Sequence, residues 1–589
     1  MNAATITLRR WPHRVSARVR GLVLTGLLTG LLTGAAHATA PLDHAGRWLT
    51  DASGRVVVLH GTNMVYKLPP YDPQAAGFGD SDAAFLAHIG MTAVRVGVIW
   101  KAVEPAPGVY DNGYLDHIAA TVQTLARHGI VSLLDFHQDM YNETFQGEGA
   151  PDWAVLDDGL PNAPQAGFPT NYLVNPALQR AFENFLADKA GPGGIGLQER
   201  FAAAWAHVAQ RFAADPSVLG YEVLNEPFPG SDFATCASPA GCPASDAELT
   251  GLSRKVTQAI RRVDPRHLVF YEPFATFNNG FPDAVGPLQD AHAVFSWHDY
   301  CLSDEAAGCS SQATTFANAA AHVAQTGEGS MLTEFGSTTS ATDLQGMVAL
   351  ADRFMVPWTE WSYCSCHAPT DTGGEQGMVI DPHQPKTGSN VQPTVVDSLA
   401  EPYPHVIAGT PTAWGYDRTS RTLSVAFSTR RASGVGGFPA GSISTLQAPS
   451  LDYPAGYHAR LSGGAVVSAR SAAAMSVASC PGASTVTITV MPGGGAPRNG
   501  CRARLHVRVA RHRVRAGRIT VVRVAVRAAI GRYAFAVRGA RVSLAGHAAG
   551  TGRAGVAVLR LRLTHRRRAY ALVVRASGYR PVRIRLAAL

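Results

Sequence analysis

Two glutamates stand at the C-terminal ends of short apolar runs. Glu226 follows Pro216–Leu224 (PSVLGYEVL) in Leu-Asn-Glu-Pro, and Glu334 follows Ser330-Met331-Leu332-Thr333 in Leu-Thr-Glu-Phe-Gly. A carboxylate that first appears where a buried strand stops sits where a barrel of alternating strands and helices carries its reactive groups. Two such groups about 5–5.5 Å apart can cleave a glycosidic bond by double displacement, one as acid/base and one as nucleophile. The ends of a fourth and a seventh barrel strand can meet that separation across the mouth. Glu226 is then the expected acid/base, its protonated form favoured by poor solvation. Glu334 is the expected nucleophile. Arg95, in Ala-Val-Arg-Val, would support catalysis by keeping a neighbouring Glu334 ionised. A structural pairing with some other buried carboxylate fits Arg95 equally well. Glu272 in Tyr-Glu-Pro and Glu360 before Trp361 read as supporting residues.

The elements that must position this pair alternate through about residue 400. Strands are expected at 56–61, 92–98, 131–136, 217–224, 267–271, 293–297, 331–333 and 356–361. Helical patterns lie between them, at 82–88, 115–128, 198–212, 246–263, 314–324 and 342–354. Eight strand–helix units predict an α/β fold, a (β/α)8 TIM barrel over residues 41–404. The largest insertion, from Asp139 to about Pro176, is rich in Gly, Pro and aromatics and follows the third strand. Such loops commonly shape a binding site. From His405 the strands become short and alternating between Gly/Pro/Ser turns, which predicts a β-sandwich over 405–490. MPGGGAPRNG (491–500) reads as a linker, and 501–589 as a further all-β, Ig-like module rich in arginine.

At 589 residues the chain is long enough for two to four domains. Five arginines between Arg9 and Arg20 precede an apolar run to about Ala36, and Ala36-His37-Ala38 offers a small-residue cleavage site. Residues 1–38 therefore read as a secretory signal peptide and the protein as secreted. The run is short for a membrane span. Eight cysteines suit export and fall in near pairs, 236/242, 301/309, 364/366 and 480/501. The pair 364/366 would close a strained ring, so cross-pairing with Cys301 or Cys309 stays open. No cysteine spacing matches a zinc site. The net charge of +8 hides a split. Cys501–Leu589 holds 22 Arg and no Asp, Glu or Lys, whereas residues 41–500 carry 24 basic side chains against 43 acidic.

Further motifs occur in chain order beside the glutamates. They are Arg95, His137 after the third strand, Asn225-Glu226-Pro227, His298 and Tyr300 in Trp-His-Asp-Tyr, Glu334-Phe335-Gly336, and Trp361 after the eighth strand. Over residues 45–400 this set resembles the family 5 glycoside hydrolases of the cellulase clan. His60-Gly61-Thr62-Asn63 with Lys67, and Asp135-Phe136-His137-Gln138-Asp139-Met140-Tyr141-Asn142 running on through Gly147-Glu148-Gly149 to Trp153, resemble its endoglycoceramidase branch. The resemblance implies hydrolysis of the β-linkage between glycan and ceramide, releasing the intact head group. It implies that Lys67, Asp135, His137 and Asp139 bind the first sugar. Asn225, His298, Tyr300 and Trp361 would line the same subsite, with Tyr300 donating to Glu334 and Trp361 stacking on a sugar face. It calls for no cofactor and no metal. Read alone, Asp135 could equally hold its loop. Tyr141, Phe145, Trp153, Phe168 and Tyr172 could form a slot for lipid tails, although Phe168 and Tyr172 also suit loop packing.

Arg502-x-Arg504 and His506-x-Arg508 put arginines on one face of a strand and apolar residues on the other. This could be a solvated outer face. It could equally adhere to an acidic surface, an anionic membrane or a cell-envelope polymer, which suits an enzyme whose substrate lies in membranes. Nucleic acid is not the expected partner, since no aromatic–basic motif accompanies the arginines. A monomer is expected.

Overall fold

The computed structural model describes residues 41–301, 309, 311–370, 376–510, 513–514, 516–563, 569–577 and 579–588. The expected signal peptide, residues 1–38, lies outside the described residues. Among the described residues no helix is long and apolar enough to cross a membrane.

Eight parallel strands close into a barrel in chain order: His60–Met64, Ala93–Val98, Val131–Phe136, Val218–Glu222, Leu268–Tyr271, Ala293–Asp299, Gly329–Phe335 and Trp358–Glu360. Every residue in them is buried. Covered on both faces, the strands read as near-continuous apolar runs rather than as alternation. The covering helices alternate instead. In Asn112–Arg127 the Asp111 carboxylate accepts from the Tyr114 amide at 3.0 Å to cap the start. Leu115, Ile118, Val122 and Leu125 recur on the inner face.

The expected first strand, 56–61, is divided between two domains. Val56–Val57 pairs antiparallel with Val406–Ile407 in a sandwich sheet, and the barrel strand begins only at His60. The cause is what each side chain meets. Val56 enters the sandwich core, while Val57 and Leu59 join Leu42, Leu49, Leu133, Leu219, Phe270 and Met331 in an apolar plug. His60 then stacks between Trp358 and Tyr403, at ring distances of 4.3 and 3.6 Å. The segment 43–57 thus belongs to a seven-stranded sheet with Tyr403–Ile407, Ile443–Gln447, Gly464–Val466 and Ala474–Ser479. A four-stranded sheet of Thr410–Asp417, Thr422–Ser428, Tyr457–Ser462 and Thr485–Pro492 faces it across a shared core of Trp414, Val425, Phe427, Val477 and Ile488.

The terminal module has two sheets. One contains Arg504–Val509, Ile519–Ile530, Tyr533–Ala536 and Val556–Arg562. The other contains Arg513–Val514, Arg541–Leu544, His547–Gly550, Ala569–Arg575 and Val582–Ala588. Val522, Val524, Val526, Leu559, Leu561, Leu572 and Leu586 fill the space between. The Cys480–Cys501 disulfide and the Arg532 amide, 2.8 Å from the Ala440 carbonyl, tie the module to the sandwich. All eight cysteines pair with their near neighbours. Cross-pairing of Cys364 does not occur, because Cys366 takes a left-handed backbone (φ 50°) that turns its side chain back onto Cys364.

Candidate active site

Two local departures from regular backbone aim the glutamates. Glu226 has φ 40°, a left-handed conformation that costs a non-glycine residue free energy and needs support from its surroundings. Its amide donates to Glu272 Oε2 at 3.1 Å, and Gln138 Nε2 donates to the carbonyls of Asn225 and Glu226 at 2.9 and 3.1 Å. For Glu334, the seventh strand slips in register against the sixth between Leu332 and Glu334, which brings Glu334 opposite His298. One carboxylate oxygen of each glutamate, with a His298 ring nitrogen between them, lies within 4.8 Å of the others. That spacing fits attack on and protonation about a single anomeric carbon. It is too close for the about 6.5–9.5 Å that an intervening water requires.

Each oxygen has a distinct partner. Tyr300 Oη donates to Glu334 Oε2 at 2.6 Å, and Arg95 Nη1 pairs with Oε1. Glu226 Oε1 accepts from Asn278 Nδ2 at 2.7 Å and faces His298 Nδ1 at 2.9 Å. His298 Nε2 lies 3.3 Å from Glu272 Oε2 and Nδ1 lies 3.5 Å from Glu334 Oε2. Both ring nitrogens therefore meet carboxylates, and His298 is not free to bind sugar as the resemblance implied. Asp135 is corrected too. It is wholly buried, with Oδ2 3.1 Å from Arg95 Nη2 and 2.8 Å from His137 Nδ1, so its contacts are with those two groups, which it orients, and its side chain presents no exposed surface.

Arg95 is fully buried and engages Glu222, Asp135, Glu272 and Glu334, with Asn225 Oδ1 at 2.9 Å and Asn63 Oδ1 at 3.1 Å. Arg95 thus pairs with Glu334 and anchors the barrel interior at the same time. One guanidinium cannot neutralise four carboxylates. Burial accordingly raises Asp135 well above the usual carboxylate range and pushes Glu272 up to about 7.

The protons of the central pair are arranged differently from expectation. Burial does raise Glu226, but the hydrogen bond and charge of His298, with Lys67 and Arg95, outweigh it and hold Glu226 below its usual value. Burial raises Glu334 overall, while His298, Arg95 and the Tyr300 hydroxyl pull against it. Burial disfavours the His298 imidazolium, yet Glu272, Glu334 and Glu226 overcome that cost and raise His298 well above its usual value. These opposite shifts favour a proton on His298, one hydrogen bond from Glu226, over one on Glu226 itself, and two groups so close titrate as a coupled pair. His298→Asn should move the alkaline limb of the kcat/KM profile to lower pH, because Glu226 must then hold the proton alone. An unmoved limb in a pH–rate measurement would contradict the shared proton.

Beside the pair lies a polar shelf. Lys67 Nζ pairs with Asp139, donates to Thr370 Oγ1 at 2.9 Å, and lies 3.8 Å from Glu148 and 4.4 Å above the Trp361 ring. Asp139 and Glu148 exchange backbone hydrogen bonds of 3.1 and 2.9 Å across the insertion's first turn. Gly147 permits that approach, since a Cβ there would lie 1.8 Å from the Asp139 carbonyl oxygen. His137 stacks 5.3 Å from Trp361, and its buried Nε2 has no hydrogen-bond partner among the described residues. Burial, then Lys67, Arg95 and His298, lower His137 well below the usual imidazole value. With Nδ1–H on Asp135, the neutral ring offers Nε2 as an acceptor for a hydroxyl. Asn225 is buried, with Oδ1 on Arg95 and Nδ2 donating to the Gln138 carbonyl at 3.0 Å, which leaves one N–H.

The aromatic insertion does not form the expected slot. Tyr141, Phe145 and Tyr172 are buried, and the Tyr172 hydroxyl accepts from the Met140 amide at 2.7 Å. Tyr141 packs against Phe182 and Phe185, and Tyr172 against Phe168, Phe182 and Phe228, so these rings are spent on the protein's own core, while the aliphatic groups that the insertion exposes are Leu160, Leu173 and Val174. Sequence reasoning also missed Glu222, Asn278 and Thr370. Only Glu222 left a signal, as a lone charge inside the apolar run of the fourth strand.

Comparison with known proteins matches this architecture. Residues 50–367 match the cellulase (glycosyl hydrolase family 5) family model, and 402–490 match the glycoside hydrolase family 5 C-terminal domain. Endoglycoceramidase I of Rhodococcus hoagii (strain 103S) is 30% identical over 77% of this chain and 88% of its own. Endoglycoceramidase of Hydra vulgaris is 28% identical over 69% of this chain and 80% of its own. The solved lactosyl-enzyme intermediate of endo-glycoceramidase II from Rhodococcus sp. superposes with a TM-score of 0.64 at 29% identity, covering 76% of this chain and all of its own.

Proposed function

Since the chain belongs to glycoside hydrolase family 5, we propose that it is a secreted, monomeric endoglycosylceramidase that cleaves the β-glycosidic bond between glycan and ceramide with retention. The observation that carries this is the pair of glutamates, Glu334 buried and Glu226 half-buried, spaced for double displacement beside the shelf of Lys67, Asp139, His137 and Trp361. The likeness to endoglycoceramidases over more than two thirds of the chain supports the choice of bond. Glu334 attacks the anomeric carbon while Glu226, resupplied from His298, protonates the departing ceramide oxygen. Arg95 and Tyr300 stabilise the Glu334 carboxylate when it leaves again. Water, deprotonated by Glu226, then hydrolyses the glycosyl ester and restores the β configuration. The arginine-rich module holds the enzyme at an acidic surface.

Mass spectrometry of products from a small glycosphingolipid panel tests the reading. Intact oligosaccharide plus ceramide is the expected result. Stepwise release of monosaccharides would instead identify an enzyme for glucosylceramide, steryl glucoside or β-glucan. Export predicts that protein recovered from culture medium begins just after Ala38.

A further inference from the structure

The family models end at residue 490, before the terminal module. One sheet of that module carries an unusual outer face. Along Ile519–Ile530 the even positions from Val522 are buried and the odd ones point outward or are half-buried, and in Val556–Arg562 the even positions point outward. Ile519, Val521, Val556 and Val558 are 76, 40, 37 and 49% exposed, although β-branched aliphatics ordinarily bury. The strand register places them together. Ile519 faces Arg562, Val521 faces Arg560, Arg523 faces Val558 and Ala525 faces Val556. Val521 and Val558 are thus diagonal neighbours, and the four aliphatics run as one oblique row across two strands. On the far side of Ile519–Ile530, Arg508 faces Ala525 and His506 faces Arg527. The row is therefore bordered by Arg560 and Arg562 on one flank and by Arg508, Arg523 and Arg527 on the other. No acidic residue exists between Cys501 and Leu589 to neutralise them.

A face built only to stay in water has no use for a continuous aliphatic row. A face built only for a soluble polyanion needs the arginines alone. Both together match the boundary of a bilayer, where guanidinium groups meet lipid phosphates and short aliphatic side chains enter the acyl edge. We propose that this sheet face docks on anionic phospholipid membranes, with Ile519, Val521 and Val558 inserting and Arg508, Arg523, Arg527 and Arg560 binding headgroup phosphates. The proposal deepens the surface-attachment reading above and is independent of the glycosidase assignment, because it is tested by binding and not by turnover.

The test is co-sedimentation of the full chain with vesicles of phosphatidylcholine alone or mixed with phosphatidylglycerol, at low salt and at 1 M salt. Partition should favour the anionic vesicles and collapse at high salt, where charges are screened beyond about 3 Å. Arg523→Ser with Arg560→Ser should lower partition ~25-fold, at about fivefold per arginine. Ile519→Ser with Val521→Ser and Val558→Ser should lower it ~10- to 100-fold while leaving retention on heparin unchanged. Turnover of a water-soluble aryl β-glycoside by each variant reports that the barrel is intact. Equal partition to neutral and anionic vesicles would overturn the proposal. So would wild-type partition by the triple-serine variant. Binding to heparin without binding to vesicles would assign the face to a soluble polyanion instead.

Discussion

Glu334→Gln is expected to abolish turnover of glycolipid, by at least about 10⁴-fold in kcat, since a neutral amide can neither attack nor leave. Glu226→Gln should lose about 10²–10⁴-fold on natural substrates. The two variants should differ in kind. An activated aryl glycoside needs no acid to lose its leaving group, so Glu226→Gln should give a burst and then stall as the glycosyl-enzyme accumulates. Azide, which needs no general base, should restore its turnover. Glu334→Gln should show neither burst nor rescue. Stopped-flow release of the aryl group, with mass spectrometry of the intact protein, reads both outcomes. Wild-type rates in both variants would remove the site assignment.

The second large effect falls on stability. Among the described residues Arg95 is the single guanidinium paired with Glu222, Asp135, Glu272 and Glu334, and all of them are buried. Arg95→Met keeps much of the volume and removes the charge, leaving uncompensated buried carboxylates at a cost of about 3–5 kcal/mol. The sign with pH follows from proton binding. Burial already raises Asp135, and it raises Glu272 to about 7. Without Arg95 these pKa values rise further above those of the unfolded chain. The folded variant then binds more protons than the unfolded one through the weakly acidic range, so its stability increases as pH falls. Urea unfolding of the two proteins at pH 7.5 and pH 5.5 should therefore show a deficit that narrows in acid. A deficit below about 1 kcal/mol at neutral pH would mean that other groups stabilise the cluster.

Much of the barrel was legible because its strands are buried on both faces and so stand out as apolar runs closed by single polar groups. The two candidate glutamates were legible for the same reason. What stayed hidden depends on the third dimension. Val56–Gly61 reads as one strand, but nothing local says that its two halves join different sheets. Asp135 and His298 sit at strand ends beside known motifs, yet their roles follow from Arg95 Nη2 and Glu272 Oε2, which approach from other strands. Asn278 reaches Glu226 from the loop after the fifth strand, 52 residues away in sequence. The aromatics of the insertion are rich enough to suggest a lipid slot, and only packing reveals that Tyr141 and Tyr172 bury against Phe182, which lies outside it. The balance of protons was likewise hidden, because burial alone raises Glu226 and only the adjacent His298 reverses it.

The proposed activity depends on one event, displacement at the sugar–lipid junction by Glu334 with Glu226 as acid and then base. Proton NMR of the first sugar released from lactosylceramide, recorded before mutarotation, tests it most directly. Intact lactose appearing first as the β anomer is the predicted result. First-formed α-lactose, or galactose released ahead of any lactose, would contradict it.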